Sequence, residues 1–157
     1  NATQDTIMYA STPGEYTPGY KYKLVNKKSA KAAGIATDNA LVVQKPDTDV
    51  NDQLWTISLT GTGNDVKLIN VKSGKALSIL GGSTAAGADA VQRTWTGTDL
   101  DQSWQINTLA SGFYTIDNVK SGLRLEVTGG SLQDNAQIQQ NATAGQDYQR
   151  WLLYYVP

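Results

Sequence analysis

The amino-acid sequence predicts an all-β domain in which one four-stranded unit is used three times. Three observations carry that expectation. The phrase VKSGKALSILGGS at 71–83 returns as VKSGLRLEVTGGS at 119–131. A Gln-x-Trp occurs three times, as Gln53-Leu54-Trp55, Gln102-Ser103-Trp104 and Gln149-Arg150-Trp151, with its tryptophans 49 and then 47 residues apart. Apolar residues alternate with period two through short runs, and no window of about eleven residues sustains the i, i+3, i+4, i+7 stripe of an amphipathic helix. Self-similarity at a fixed period marks a supersecondary unit that is repeated because one copy cannot bury its own apolar face.

Each unit opens on a strand-like run, YKLVN at 22–26, VKLIN at 66–70 and YTIDN at 114–118, where Tyr22 and Leu24, Val66 and Leu68, and Tyr114 and Ile116 share a face. These runs end on Asn26, Asn70 and Asn118, whose side chains can hold an Asx turn ahead of the Lys-Ser pair that follows. The most degenerate copy of the opening phrase is VNKKSAKAAGIA at 25–36, where Ala30 stands in the place of the turn glycines Gly74 and Gly122. Gly-Gly pairs at 81–82 and 129–130 punctuate the next turn, and the runs ALVVQK, AVQRTW and AQIQQN supply further short strands. Four strands per unit, twelve in all, are expected, in repeats spanning about 20–62, 63–110 and 111–157.

Residues 1–19 stand outside the repeat and read as an N-terminal arm or linker, with turns at Pro13-Gly14 and Pro18-Gly19. Tyr9 and Tyr16 leave open a second reading, in which the arm helps to shape a ligand site. A start at Asn1 suggests a processed mature protein or a piece of a longer one.

Composition narrows the function classes. A length of 157 residues fits a single domain. Thirteen Lys and Arg against fourteen Asp and Glu give a net charge of −1, which supplies no basic footprint for a phosphate backbone, so nucleic acid is not expected as a partner. No apolar run reaches the roughly 20 residues of a membrane span, and the polar start lacks the pattern of a signal peptide. A soluble chain is expected. Cysteine and histidine are both absent. Their absence excludes Ser-His-Asp and Cys-His nucleophile systems, HExxH zinc sites and zinc deaminase chemistry. The run Asp47-Thr48-Asp49-Val50-Asn51 begins like a calcium loop, but Asp52 occupies the required glycine and Ser58 the closing glutamate. No cofactor or metal is expected. Sequons at Asn1 and Asn141 matter only in a eukaryotic secretory setting.

Three four-stranded units that each close on Gln-x-Trp resemble the β-trefoil of the ricin-B-type lectins, also known as family 13 carbohydrate-binding modules. The resemblance covers roughly positions 20 to 156. It implies a barrel with pseudo-threefold symmetry, in which the three tryptophans are core residues and the glutamines orient neighbouring backbone. It implies further that sugar is held by an Asp in the second strand of a unit, an aromatic about fifteen residues later, and an Asn or Asp beside the Gln of Gln-x-Trp.

Carried over position by position, the acidic place falls on Gly34, Ser78 and Glu126, and the aromatic place on Lys45, Arg93 and Asn141. The place before the glutamine falls on Asp52, Asp101 and Tyr148. The first unit, with Gly34, Lys45 and Pro46, reads as vacated. The second offers Ser78, Arg93, Trp95 and Asp101, with Trp95 either a ring packed under its loop or a platform for sugar. The third offers Glu126, Gln139, Asn141 and Tyr148, either a cluster for sugar hydroxyls or a solvated polar loop. The resemblance therefore implies a secreted, non-catalytic module that binds carbohydrate weakly through its second and third units. Such a module is a monomer or part of a longer chain with a glycan-degrading enzyme. Galactose-type sugars are the first ligands by this analogy, with xylan or arabinan side chains as further candidates. The competing readings are a trefoil that has lost sugar binding and serves as a spacer or protein-contact domain, and a glycosidase built on Asp99 and Asp101.

Overall fold

The computed structural model describes residues 20–36 and 40–156, so the arm at 1–19, with Tyr9, Tyr16 and the sequon at Asn1, lies outside the described residues. Twelve strands follow in chain order: β1 Lys21–Asn26, β2 Ala32–Ile35, β3 Val42–Lys45, β4 Trp55–Leu59, β5 Val66–Asn70, β6 Ala76–Ile79, β7 Ala90–Arg93, β8 Trp104–Thr108, β9 Tyr114–Asn118, β10 Arg124–Val127, β11 Ile138–Asn141 and β12 Trp151–Val156. Helical geometry among the described residues is confined to 3-10 turns, such as Asn51–Gln53, Leu100–Gln102 and Asp147–Gln149, each placed just before a tryptophan-bearing strand.

Six strands close a barrel. β1 pairs with β12 and β4, β5 with β4 and β8, and β9 with β8 and β12, all antiparallel. Each of these six strands is paired on both sides, so the barrel itself offers no free edge for another chain to extend. The other six form the hairpins β2–β3, β6–β7 and β10–β11. These hairpins touch one another through the bridges Leu41–Val91, Val43–Gln137 and Asp89–Gln139. A six-stranded barrel capped by a hairpin triplet is a β-trefoil, as the threefold repeat predicts.

The alternation read along each opening strand is the inside-outside alternation of this barrel. Leu24, Leu68 and Ile116 are fully buried, as are Trp55, Trp104 and Trp151. Each indole Nε1 donates to a backbone carbonyl of the second strand of its own unit: Ala33 at 3.1 Å, Leu77 at 3.0 Å and Leu125 at 3.1 Å. The indole is thus both filler and rivet between barrel and hairpin. A buried Trp removes ~150–250 Å² from water, worth roughly 4–6 kcal/mol at ~25 cal/mol/Å² as an upper figure.

The glutamine two residues earlier clamps the loop that follows the third strand. Gln53 donates to Pro46 O (2.8 Å) and accepts from Thr48 N (2.9 Å). Gln102 treats Thr94 and Thr96 in the same way (2.9 and 3.0 Å), and Gln149 treats Ala142 and Ala144 (2.8 and 2.9 Å). A primary amide suits this role because it carries a donor and an acceptor on one planar group.

The repeated Lys-Ser and Gly-Gly-Ser phrases find their reason in a second set of glutamines. Ser29, Ser73 and Ser121 donate through Oγ to Gln44, Gln92 and Gln140 on the third strands, at 2.8, 2.6 and 2.8 Å. Gln44 Nε2 then crosses to the carbonyls of Ser131 and Gln133, and Gln140 Nε2 to those of Ser83 and Ala85. Serine turn, strand and Gly-Gly-Ser turn are one network, and it locks neighbouring units together.

Candidate functional site

Each unit brings three positions to one end of its hairpin: the third residue of its second strand, the last residue of its third strand, and the residue before the Gln of Gln-x-Trp. The following unit seals the place. Asn70 Nδ2 donates to Asp52 O (3.0 Å), Asn118 Nδ2 to Asp101 O (2.9 Å), and Asn26 Nδ2 to Tyr148 O (3.0 Å). The same asparagines accept, through Oδ1, from the backbone amides of the Lys-Ser pair that follows them. The Asx turn expected from sequence therefore delivers Lys28, Lys72 and Lys120 to the preceding unit's site, a contribution that a unit-by-unit alignment does not reveal.

In the first unit a Cβ on Gly34 would lie 3.0 Å from Lys45 Cδ and 3.2 Å from Gln53 Cγ, so a side chain there fits only if these neighbours give way. Lys45 occupies the aromatic place and binds Asp52 Oδ2 and Ile35 O, both at 3.0 Å. Asp52 Oδ1 is buried without a hydrogen-bond partner. Between this unit and the next lies an open cleft of about 530 Å³. The unit that reads as vacated from sequence thus retains a cavity, though not one lined by a ring.

In the second unit Ser78 is fully buried. Its Oγ donates to Ala76 O (2.9 Å) and accepts from Gln102 Nε2 (3.2 Å), so it belongs to the glutamine clamp and does not line the surface. Asp101, 2% exposed, accepts from Ile79 N at 3.1 Å and from the Arg93 guanidinium. Arg93 also reaches Asp99 at 3.5 Å. The hydrogen bond to Asp101 raises the Arg93 pKa above its ordinary value. Asp99 and Asp101 share one guanidinium, which is the arrangement of an ion pair and not of an acid and a nucleophile facing across a cleft. Trp95 is half-buried, with Lys67 Nζ 5.0 Å from its ring centroid. Its indole is neither tucked into the barrel core nor a bare platform.

In the third unit three of the four sequence candidates meet, Glu126, Gln139 and Asn141. Glu126, 2% exposed, receives Gln139 Nε2 at 2.7 Å and Asn141 Nδ2 at 3.0 Å on one oxygen, and Gln149 Nε2 at 2.9 Å on the other. A carboxylate offers about four acceptor directions, and three are used. Gln139 and Asn141 are half-exposed, each with amide capacity left over for solvent or ligand. Tyr148 lies against Gly130, where an added Cβ would sit 2.8 Å from Tyr148 Cδ1, and Lys28 Nζ stands 5.6 Å from its ring centroid.

The acidic run that begins like a calcium loop serves another purpose. Asp47 and Asp49 bind Lys23 Nζ at 2.9 and 3.0 Å, and that lysine side chain is 1% exposed.

No curated protein sequence matches the chain. Among solved structures it is similar to ThreeFoil, a designed threefold-symmetric protein, with a TM-score of 0.82 and 33% identity, covering 87% of this chain and 99% of that one. It is similar to the exo-β-1,3-galactanase 1,3Gal43A of Clostridium thermocellum, with a TM-score of 0.83 and 32% identity over 90% of this chain, and spans 31% of that enzyme's length. The fold also matches the Macrolepiota procera ricin B-like lectin, crystallised with lactose, with a TM-score of 0.78 and 21% identity over 89% of this chain and 98% of that one. The ricin-type beta-trefoil lectin domain-like family model matches residues 9–93, 51–112 and 100–156, and with the threefold barrel, its three buried indoles and the three sealed sites between units, this chain belongs to that family.

Proposed function

We propose that this chain is a non-catalytic carbohydrate-binding module that holds oligosaccharide or polysaccharide at its second and third units and is carried by a larger secreted glycan-degrading enzyme. The observation that carries this reading is the third unit's cluster. Glu126 orients Gln139 and Asn141, whose half-exposed amides keep donors and acceptors for a ligand. A sugar presents a rim of hydroxyls that such preset amides satisfy without reorganisation. Glu126 acts through these amides as a positioning residue. In the second unit Trp95 offers an indole for the apolar face of a pyranose, while Arg93 supplies donors at the rim. Two shallow sites on one rigid barrel gain from effective concentration along a polymer.

Similarity to one region of a galactanase supports a galactose-type ligand and an appended placement, with xylan or arabinan side chains as the further candidates. Calorimetric titration with galactosyl, xylosyl and arabinosyl oligosaccharides tests the reading. Heat of binding that falls with Glu126→Ala or Trp95→Ala supports it. Binding unchanged in both variants removes these sites. One observation favours a spacer instead: Lys45 and Arg93 stand at the aromatic places and are tied into ion pairs. Silence across all three glycan classes is the result that reading expects.

A further inference from the structure

The three sites are built alike, so their differences are informative, and the difference is charge. Each site receives a lysine from the next unit's Lys-Ser turn and, three residues on, a second residue: Lys72 and Lys75 for the first unit, Lys120 and Leu123 for the second, Lys28 and Lys31 for the third. In the second site the charges are spent. Arg93 pairs with Asp99 and Asp101, Lys120 Nζ donates to Gly82 O, and the second position is the uncharged Leu123. In the third, Lys28 stands over the Tyr148 ring and Lys31 pairs with Asp134 at 3.5 Å.

The first site differs. Among the described residues, its cleft of about 530 Å³ is lined by Lys45, Lys72 and Lys75 together with a single carboxylate, Asp52, which Lys45 pairs at 3.0 Å. Lys72 and Lys75 are exposed at this cleft and form no ion pair among the described residues. Among the described residues, a local excess of two positive charges therefore stands on a chain whose net charge is −1. In the same cleft Asp52 Oδ1 is a buried acceptor with no donor. Two lysines without an ion-pair partner among the described residues, at the wall of a cleft of sugar size, match an anionic group.

We propose that the cleft between the first and second units binds the anionic substituent of an acidic glycan, the carboxylate of a uronic acid or a sulfate ester. Lys72 and Lys75 hold the anion. The proposal rests on the reading of the chain as a carbohydrate-binding module and assigns the first unit a ligand class that the other two do not share.

Titration of the intact chain with three oligosaccharides of equal length tests it: one carrying uronate, one carrying sulfate ester, and one neutral. Both lysines are exposed, so the double variant Lys72→Ala/Lys75→Ala keeps the fold. The expected result is tighter binding of at least one acidic ligand than of the neutral one. That preference falls about tenfold in the double variant at low ionic strength and weakens steeply as salt is added, while neutral binding stays unchanged. Which acidic ligand responds identifies the anion. Neutral binding without any acidic preference, or an acidic preference that survives the double variant, overturns this proposal and leaves the carbohydrate reading standing. Absence of binding to all three overturns both. Equal competition by inorganic sulfate alone reduces the cleft to a bare anion site and overturns the glycan assignment.

Discussion

Replacing Ala30 by glycine is expected to stabilise the protein, and the repeat supplies its own controls. The three Lys-Ser turns are superposable in their bonding. Ala30 N, Gly74 N and Gly122 N each donate at 2.8 Å to the carbonyl of the asparagine four residues back. The residue at the bend has φ 59° for Ala30 and 72° for both glycines. An L-residue with a Cβ costs roughly 1–2 kcal/mol in this left-handed region, and glycine returns about 0.4–1 kcal/mol of that through its greater unfolded-state freedom. Ala30→Gly should therefore gain about 0.5–1 kcal/mol. At ~2–4 °C per kcal/mol for a chain of this size, the melting temperature rises by about 1–4 °C. Around Gly74 and Gly122 a Cβ would meet nothing within 4 Å, so Gly74→Ala and Gly122→Ala lose a similar amount through backbone alone. Urea denaturation at pH 7 reads all three. A destabilised Ala30→Gly, or neutral Gly74→Ala and Gly122→Ala, refutes the claim that these turns are one motif limited by its bend residue.

Two further predictions concern buried contacts. Lys23→Met removes the ammonium that Asp47 and Asp49 share; their side chains are 24% and 33% exposed and can rehydrate, so the loss should be about 2–3 kcal/mol, below the ~3–5 kcal/mol of a fully buried pair. The hydrogen bond from Lys23 holds Asp49 below the usual carboxylate range. Its contribution is accordingly present above about pH 4 and lost as pH falls through the folded-state value. The difference between wild type and Lys23→Met should shrink when urea curves at pH 7 are compared with curves at pH 3. Gly130→Ala should cost clearly more than Gly129→Ala although both glycines have φ near 64°, because only at 130 does a Cβ strike Tyr148 and Lys28, both at 2.8 Å. Equal thermal shifts in the two variants would mean that Tyr148 is not packed on that glycine.

The trefoil was legible because its determinants are local and triplicated. Period-two runs, Asx turns and Gln-x-Trp lie within one unit, and each appears three times in register. Contacts between units were not legible. The crossing of Lys28, Lys72 and Lys120 to the preceding site depends on barrel closure, which no single repeat encodes. The signal for Gln44, Gln92 and Gln140 was present, since a glutamine stands just before each of Lys45, Arg93 and Asn141. Its meaning needed the partner carbonyls, which lie 87 and 89 residues away in the case of Gln44. Of the site residues, the Glu126, Gln139 and Asn141 cluster followed from sequence because cross-strand pairing of β10 with β11 sets it. The burial of Ser78 did not, because a serine at the family's acidic place looks like a weakened ligand until its hydrogen bond to the clamp is seen. Nor did the contact of Lys67 with Trp95, which joins a barrel strand to a distant loop.

The most direct test is residue-resolved. The intact chain, isotopically labelled, is titrated with a galactosyl oligosaccharide while backbone amide and indole N–H shifts are followed. Movement should concentrate on Arg93, the Trp95 indole, Gln139, Asn141 and Tyr148, while the indoles of Trp55, Trp104 and Trp151, hydrogen-bonded inside the barrel, stay in place. Shifts confined to other surfaces, or movement of the three buried indoles ahead of the loop residues, would contradict sugar binding at the second and third units.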